Sequence, residues 1–171
     1  MITQDDVIYF VLTDRFCNGD PANDQPAEPG NARHFHGGDF AGLVQKIPYF
    51  KALGVSAIWL TPVYVNIVDL GDSAGYHGYW AVDFERVDPH LYSSRPELAA
   101  GSRAYLAELV QTFHDNGLKV ILDMVVNHTG YHTKGYRDYP FQRFGPEHFN
   151  PDRPGDEVKG SLAGLPDLNH D

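Results

Sequence analysis

The sequence predicts an α/β fold, the first part (about three β/α units) of a (β/α)8 TIM barrel. Two observations carry that reading. Three short apolar runs, residues 7–12, 55–62 and 119–126, are rich in β-branched and aromatic residues, the pattern of parallel strands buried on both faces. Two segments of helical periodicity lie between them, and the connections leaving the strand ends are long, as they are where α/β folds hold ligands. A flavodoxin-like or Rossmann sheet is the alternative, but the first strand-to-helix connection is far too long for a phosphate-binding turn and lacks G-x-G-x-x-G.

The first run, VIYFVL, is followed by Thr13-Asp14-Arg15-Phe16 and a polar loop over residues 17–33. Within it Asn18-Gly19-Asp20-Pro21-Ala22-Asn23-Asp24 places four oxygen-bearing side chains in seven residues. Hard cations such as Ca2+ take about six to eight oxygens. The loop is not an EF-hand, since Ala22, Asn23 and Pro29 stand where a ligand, the turn glycine and the final glutamate would be. A solvated loop of Asx turns is the plainer reading. His34 and His36, with no cysteine or third histidine near, read as ordinary surface groups rather than metal ligands. Asp39 then caps a helix whose inner face is Leu43, Val44, Ile47, Phe50 and Leu53. Pro48 should kink it or delay its regular part, and Gly54 should end it.

The second run ends at Pro62, and residues 63–96 read as one long loop. Its stretch Gly75-Tyr76-His77-Gly78-Tyr79-Trp80 is too aromatic for disorder, and its rings offer stacking faces with polar tips. The second helix covers residues 102–116, capped by Ser102, with Leu106, Leu109, Val110 and Phe113 inward and Asn116-Gly117 closing it. The third run, Val120 to Val126, contains one acid, Asp123, and ends in Asn127-His128. A charge in a buried strand needs a partner or a chemical role, and the carboxyl end of a parallel strand is where sites form. Beyond it, residues 131–164 carry prolines at 140, 146, 151 and 154 and read as an irregular excursion.

Composition narrows the partners. The net charge of −10, from 13 basic and 23 acidic residues, offers no basic stripe for nucleic acid or an anionic membrane. It suits neutral ligands or cations. Cys17 is the only cysteine, so no intramolecular disulfide is available. The opening residues carry no signal-peptide pattern, which leaves a cytoplasmic protein or a processed secreted one. The chain stops directly after a motif-like stretch, which reads as a cut.

Four stretches in order resemble the α-amylase family of glycoside hydrolases and transglycosylases, glycoside hydrolase family 13. Leu122-Asp123-Met124-Val125-Val126-Asn127-His128 looks like the family's D-x-V-x-N-H region at the end of the third barrel strand. Leu165-Pro166-Asp167-Leu168-Asn169 looks like its motif late in domain B, the excursion after that strand. Gly75-Tyr76-His77-Gly78-Tyr79-Trp80 resembles the loop after the second strand. Asp14-Arg15-Phe16, residues 18–24 and Gly37-Gly38-Asp39 resemble the calcium loop of cyclodextrin glucanotransferases.

The resemblance implies a barrel part over residues 1–126 and a domain B-like insertion over 127–171. It implies an α-glucan or maltooligosaccharide partner, held through His77, His128 and the aromatic face of Tyr79, with Trp80 as support. Asp123 becomes a buried structural acid rather than a catalyst. One Ca2+ would lie among Asn18, Asp20, Asn23, Asp24, the Gly37 carbonyl and Asp39. A second would take Asn127, Asp167 and the backbone oxygen of Val158.

The family mechanism is retaining hydrolysis by two carboxyl groups about 5 Å apart, one a nucleophile and the other a general acid. The family draws them from the fourth and fifth strand ends, with a third acid from the seventh, and no stretch here matches those motifs. The expectation is therefore a fragment of an enzyme acting on α-1,4-glucosidic bonds, inactive alone, whose missing partner is the remainder of its own barrel. The alternative is a non-catalytic, calcium-stabilised carbohydrate-binding or interaction module on the same scaffold.

Overall fold

Along the chain the elements are β1 (Ile8–Val11), α1 (Thr13–Phe16), α2 (Phe40–Gln45), α3 (Ile47–Ala52), β2 (Ala57–Leu60), β3 (Tyr64–Asn66), β4 (Ala81–Val87), α4 (Arg103–Asp115) and β5 (Lys119–Leu122), with 3-10 turns at Pro21–Asn23 and Pro89–Leu91. The computed structural model describes residues 1–24, 27–93, 102–131, 165, 166 and 168. The domain B-like stretch and its two ligand candidates Val158 and Asp167 lie largely or wholly outside the described residues. No described helix is long and apolar enough to cross a membrane.

The three predicted strands form one parallel sheet in the order β1-β2-β5. Ile58 lies between Tyr9 and Val120, and Leu60 between Val11 and Leu122. Successive side chains alternate between faces. One face sends Val11, Ile58 and Leu60 into a core with Leu43, Ile47 and Phe50 of the first helical segment and Leu109 and Phe113 of α4. Full burial of Phe50 and Phe113 contributes roughly 1.5–3 kcal/mol each. The opposite face is also apolar but open: Ile8 is 46% exposed, Phe10 49% and Trp59 39%, and the last two rings meet edge to face at 5.2 Å.

The amino ends of the strands are clamped together. Lys119 Nζ donates to both carboxylate oxygens of Asp6 at 2.8 and 2.7 Å, and Ser56 Oγ donates to Asp6 Oδ1 at 2.8 Å. These bonds hold the Asp6 carboxyl well below the usual carboxylate range.

Several expectations change. Of the two effects expected of Pro48, a kink or a delayed start, the outcome is a break: α2 ends at Gln45, Lys46 leaves helical geometry, and Pro48 sits in the first turn of α3, where its missing N–H costs little. Residues 63–96 are more than a loop, since β3 and β4 pair antiparallel within them. Acids and a base inside β4 obscured its alternation. Buried Asp83 is held by Arg86 Nε at 2.7 Å and the Glu85 N–H at 2.8 Å. Ser102 precedes α4 but does not cap it with its side chain; its hydroxyl accepts from the Val87 N–H at 2.9 Å. The third strand stops at Leu122, and Met124 and Val126 are 56% exposed, so the run is half-buried rather than buried.

Candidate active site

The loop after β2 is fixed by its backbone. Gly75 N–H donates to the Ile67 carbonyl at 2.7 Å, and Gly78 N–H to Gly75 at 2.9 Å. Gly78 has φ +87°, and a Cβ there would stand 2.3 Å from the Pro62 carbonyl oxygen. Only glycine meets both conditions. The Trp80 N–H donates to Asn66 Oδ1 at 2.8 Å, while Asn66 is itself held through Asp88 Oδ2 and the Tyr64 carbonyl.

This frame sets out a ring cluster. His77 Nδ1 accepts from the Tyr79 N–H at 3.0 Å. Its ring lies near-parallel to Tyr79 at 5.8 Å and edge-on to Trp80 at 4.6 Å. Burial, with the nearby Arg15 charge, lowers the His77 pKa to about 4, so the imidazole is neutral at pH 7 and its Nε2 carries the proton. The Tyr79 phenol donates to Asp123 Oδ2 at 2.9 Å. Burial, then that bond and charge, raise the phenol to about 12. His128 Nε2 lies 3.3 Å from the Tyr79 carbonyl, and its Nδ1 3.4 Å from Asn127 Nδ2. A proton on Nε2 satisfies the Tyr79 carbonyl.

The structure thus brings His77, Tyr79, Trp80, Asp123, Asn127 and His128 together at the carboxyl ends of β2 and β5. Asp123 is half-buried rather than buried, and one oxygen is engaged by Tyr79, which suits support better than attack. Two imidazoles beside a tyrosine ring, that of His77 neutral, can hydrogen-bond hydroxyl groups, and the tyrosine ring can stack on an apolar ligand face.

The oxygen-rich loop forms a second cluster. Asp39 caps α2 through the Gly42 N–H at 2.6 Å, and its two oxygens also accept from the N–H groups of Gly19 and Asp20 and from Asn23 Nδ2. Asn18 Nδ2 donates to Asp24 Oδ2 at 2.7 Å. Asn23 Oδ1 and Asp24 Oδ1 are buried and lack a hydrogen-bond partner among the described residues. Gly37, at φ +91°, leaves the space they face: a Cβ there would stand 2.5 Å from Asp24 Oδ1 and 2.6 Å from Asn18 Nδ2. Orphaned buried oxygens around a glycine cradle fit a hard cation. The Asp20 carboxylate turns elsewhere, accepting from the Ala22 N–H at 2.9 Å and from the Ser93 hydroxyl.

The last motif returns to the third strand end. Leu168 N–H donates to the Asn127 carbonyl at 3.0 Å and Thr129 N–H to the Pro166 carbonyl at 2.9 Å. The two motifs are therefore spatial neighbours.

His34 and His36 are not the surface groups expected. His34 is buried, 3.8 Å from Glu28, and His36 Nε2 lies 3.0 Å from the Asn31 carbonyl, because residues 34–39 pack inward as one strip. Residue-by-residue reading assigned no role to Asp14, Arg15 or Asn66. Asn66 carried no signal in the sequence. Arg15 stands inside the Asp14-Arg15-Phe16 motif, but its contact with Tyr76 joins residues 61 positions apart and shows only in the fold.

Residues 10–150 match the family model for the α-amylase catalytic domain. The chain is 38% identical to a β/α-amylase of Paenibacillus polymyxa across 96% of this chain and 14% of that protein. It is 38% identical to a cyclomaltodextrin glucanotransferase of Klebsiella oxytoca across 72% of this chain and 19% of that protein. A solved Anoxybacillus α-amylase superposes with a TM-score of 0.77 at 38% identity, covering 97% of this chain and 34% of that one. The chain spans between a seventh and a third of these relatives' lengths. It belongs to the α-amylase catalytic-domain family of glycoside hydrolases.

Proposed function

We propose that the chain supplies the sugar-holding part of an α-glucan-active retaining enzyme, a hydrolase or transglycosylase of α-1,4-glucosidic bonds. The observation that carries this is the His77–Tyr79–His128 cluster, two imidazoles and a ring face locked by Asp123 at the strand ends. In this reading Tyr79 stacks on a glucose ring, His77 donates from Nε2 to a hydroxyl, and His128 exchanges its contact with the Tyr79 carbonyl for a second hydroxyl as charge develops in the transition state. Trp80 backs His77.

The sheet makes up the first three strands of a (β/α)8 barrel, and residues 127–171 an inserted domain B. The open face of Ile8, Phe10 and Trp59 would then line the barrel interior and be covered by the remaining strands. Those strands would supply the nucleophile and the general acid. The relatives' greater lengths favour this reading.

Calcium belongs to the same proposal. Asn18, Asn23, Asp24, the Gly37 carbonyl and Asp39 would hold one ion, with Asp20 closing the loop. Asn127, with Val158 and Asp167, would hold a second. The ion contributes charge and rigidity to the loop, not a reaction step. The direct test is maltotetraose binding by calorimetry, compared between wild type and Tyr79→Ala. A tenfold loss, about 1.4 kcal/mol, is expected; equal binding in the two proteins would reject the site.

A further inference from the structure

We propose that Arg15 is a positioning residue that ties the oxygen-lined loop to the sugar-facing rings, so that a divalent cation in the loop orders His77 and Tyr79. This rests on the proposed function for what the rings bind, but its structural content is independent of glucan. The contacts run without a gap. Asp14, almost fully buried, accepts from the N–H groups of His36 at 2.9 Å and Gly37 at 3.2 Å, the segment that closes the cation loop. Asp14 pairs with the Arg15 guanidinium. The guanidinium is fixed by the Ala32 carbonyl at 2.8 Å and lies over the Tyr76 ring, its Cζ 3.7 Å from the ring centroid. The Tyr76 ring meets His77 edge-on at 5.1 Å, and His77 holds the Tyr79 backbone.

The planar guanidinium is what allows one side chain to pair with a carboxylate, donate to a carbonyl and stack on a ring together; a lysine ammonium is a point charge and would do fewer of these at once. Motion of the 36–39 segment is thereby transmitted to the rings through Asp14 and Arg15. A ligand that stabilises one arrangement of the loop must then stabilise the ring arrangement coupled to it, and the coupling is reciprocal.

The test is amide hydrogen exchange in the intact protein with and without Ca2+, in wild type, Arg15→Lys, Arg15→Met and Tyr76→Leu. Calcium should slow exchange of the Tyr79 and Trp80 amides by on the order of tenfold in wild type, and by less than about twofold in Arg15→Met and Tyr76→Leu, with Arg15→Lys between. Ca2+ affinity should stay within about threefold throughout. Tyr76→Leu keeps the Asp14–Arg15 pair, so it reads the link even if Arg15→Met fails to fold. Undiminished calcium protection in Tyr76→Leu, or no protection in wild type, overturns the proposal. Absence of maltotetraose binding in wild type would instead reject the functional reading and leave this result standing.

Discussion

The Tyr79 phenol donates to Asp123 across 44 positions of sequence, at 2.9 Å, and so joins the loop after the second parallel strand to the end of the third. Tyr79→Phe keeps the ring and removes the bond. It should cost about 1–2 kcal/mol of stability, because it leaves a half-buried carboxylate short of a charge-assisted partner. Urea denaturation of the two proteins measures this, with glucan affinity falling less than in Tyr79→Ala.

Burial of that phenol, together with the bond, gives a pH signature. The folded phenol, at about 12, lies above its unfolded value of about 10. The stabilisation is therefore complete below about pH 10 and is lost as pH rises from there toward 12, where the unfolded chain releases its proton first. Ultraviolet titration should show late-ionising tyrosines, Tyr9 and Tyr92 also being raised, and one fewer of them in Tyr79→Phe.

Asp6 acts in the opposite sense. Its folded pKa is depressed by Lys119, Thr3 and Ser56, so its stabilisation is present above about pH 4 and lost as pH falls below that value. Asp6→Asn should lower the melting temperature at pH 7 and flatten its decline between about pH 4 and 2. Thermal melts across that range check it; an unchanged acid limb would show that the clamp contributes nothing.

Two glycines separate conformational cost from ligand geometry. Gly54 has φ +74° with no atom within 4 Å of an added Cβ, whereas the Gly37 Cβ would meet Asp24. Gly54→Ala should cost about 1 kcal/mol and leave calcium affinity unchanged. Gly37→Ala should cost more and weaken Ca2+ by at least about tenfold. Asp24→Ala should weaken it comparably, and Asp20→Ala less, since its carboxylate faces Ala22 and Ser93. Calorimetric calcium titration of the four variants reads all of this.

The parallel sheet was legible because residues 7–12, 55–62 and 119–126 are apolar on both faces, a pattern few structures other than a parallel sheet share. The Asp39 cap, confirmed at Gly42, was legible because capping is local. The β3–β4 pair was not, since Asp83, Glu85 and Arg86 broke the alternation and an ion pair between buried Asp83 and exposed Arg86 satisfied the break. Ser102 misled for a related reason: a hydroxyl that can cap its own helix can equally serve a distant strand, and here Val87 took it. In the site, His77, Tyr79 and His128 stood in recognisable motifs, while the frame that orients them, Asn66 and Arg15, lies in tertiary contacts.

The central claim is that the rings at the strand ends form a glucan site. Maltotetraose titration of wild type, Tyr79→Ala, His128→Ala and the remote Tyr49→Ala tests it most directly. Saturable binding that falls at least about tenfold in the first two variants and not in Tyr49→Ala is the predicted result. Binding that is absent from wild type, or that Tyr79→Ala and His128→Ala leave unchanged, would contradict it.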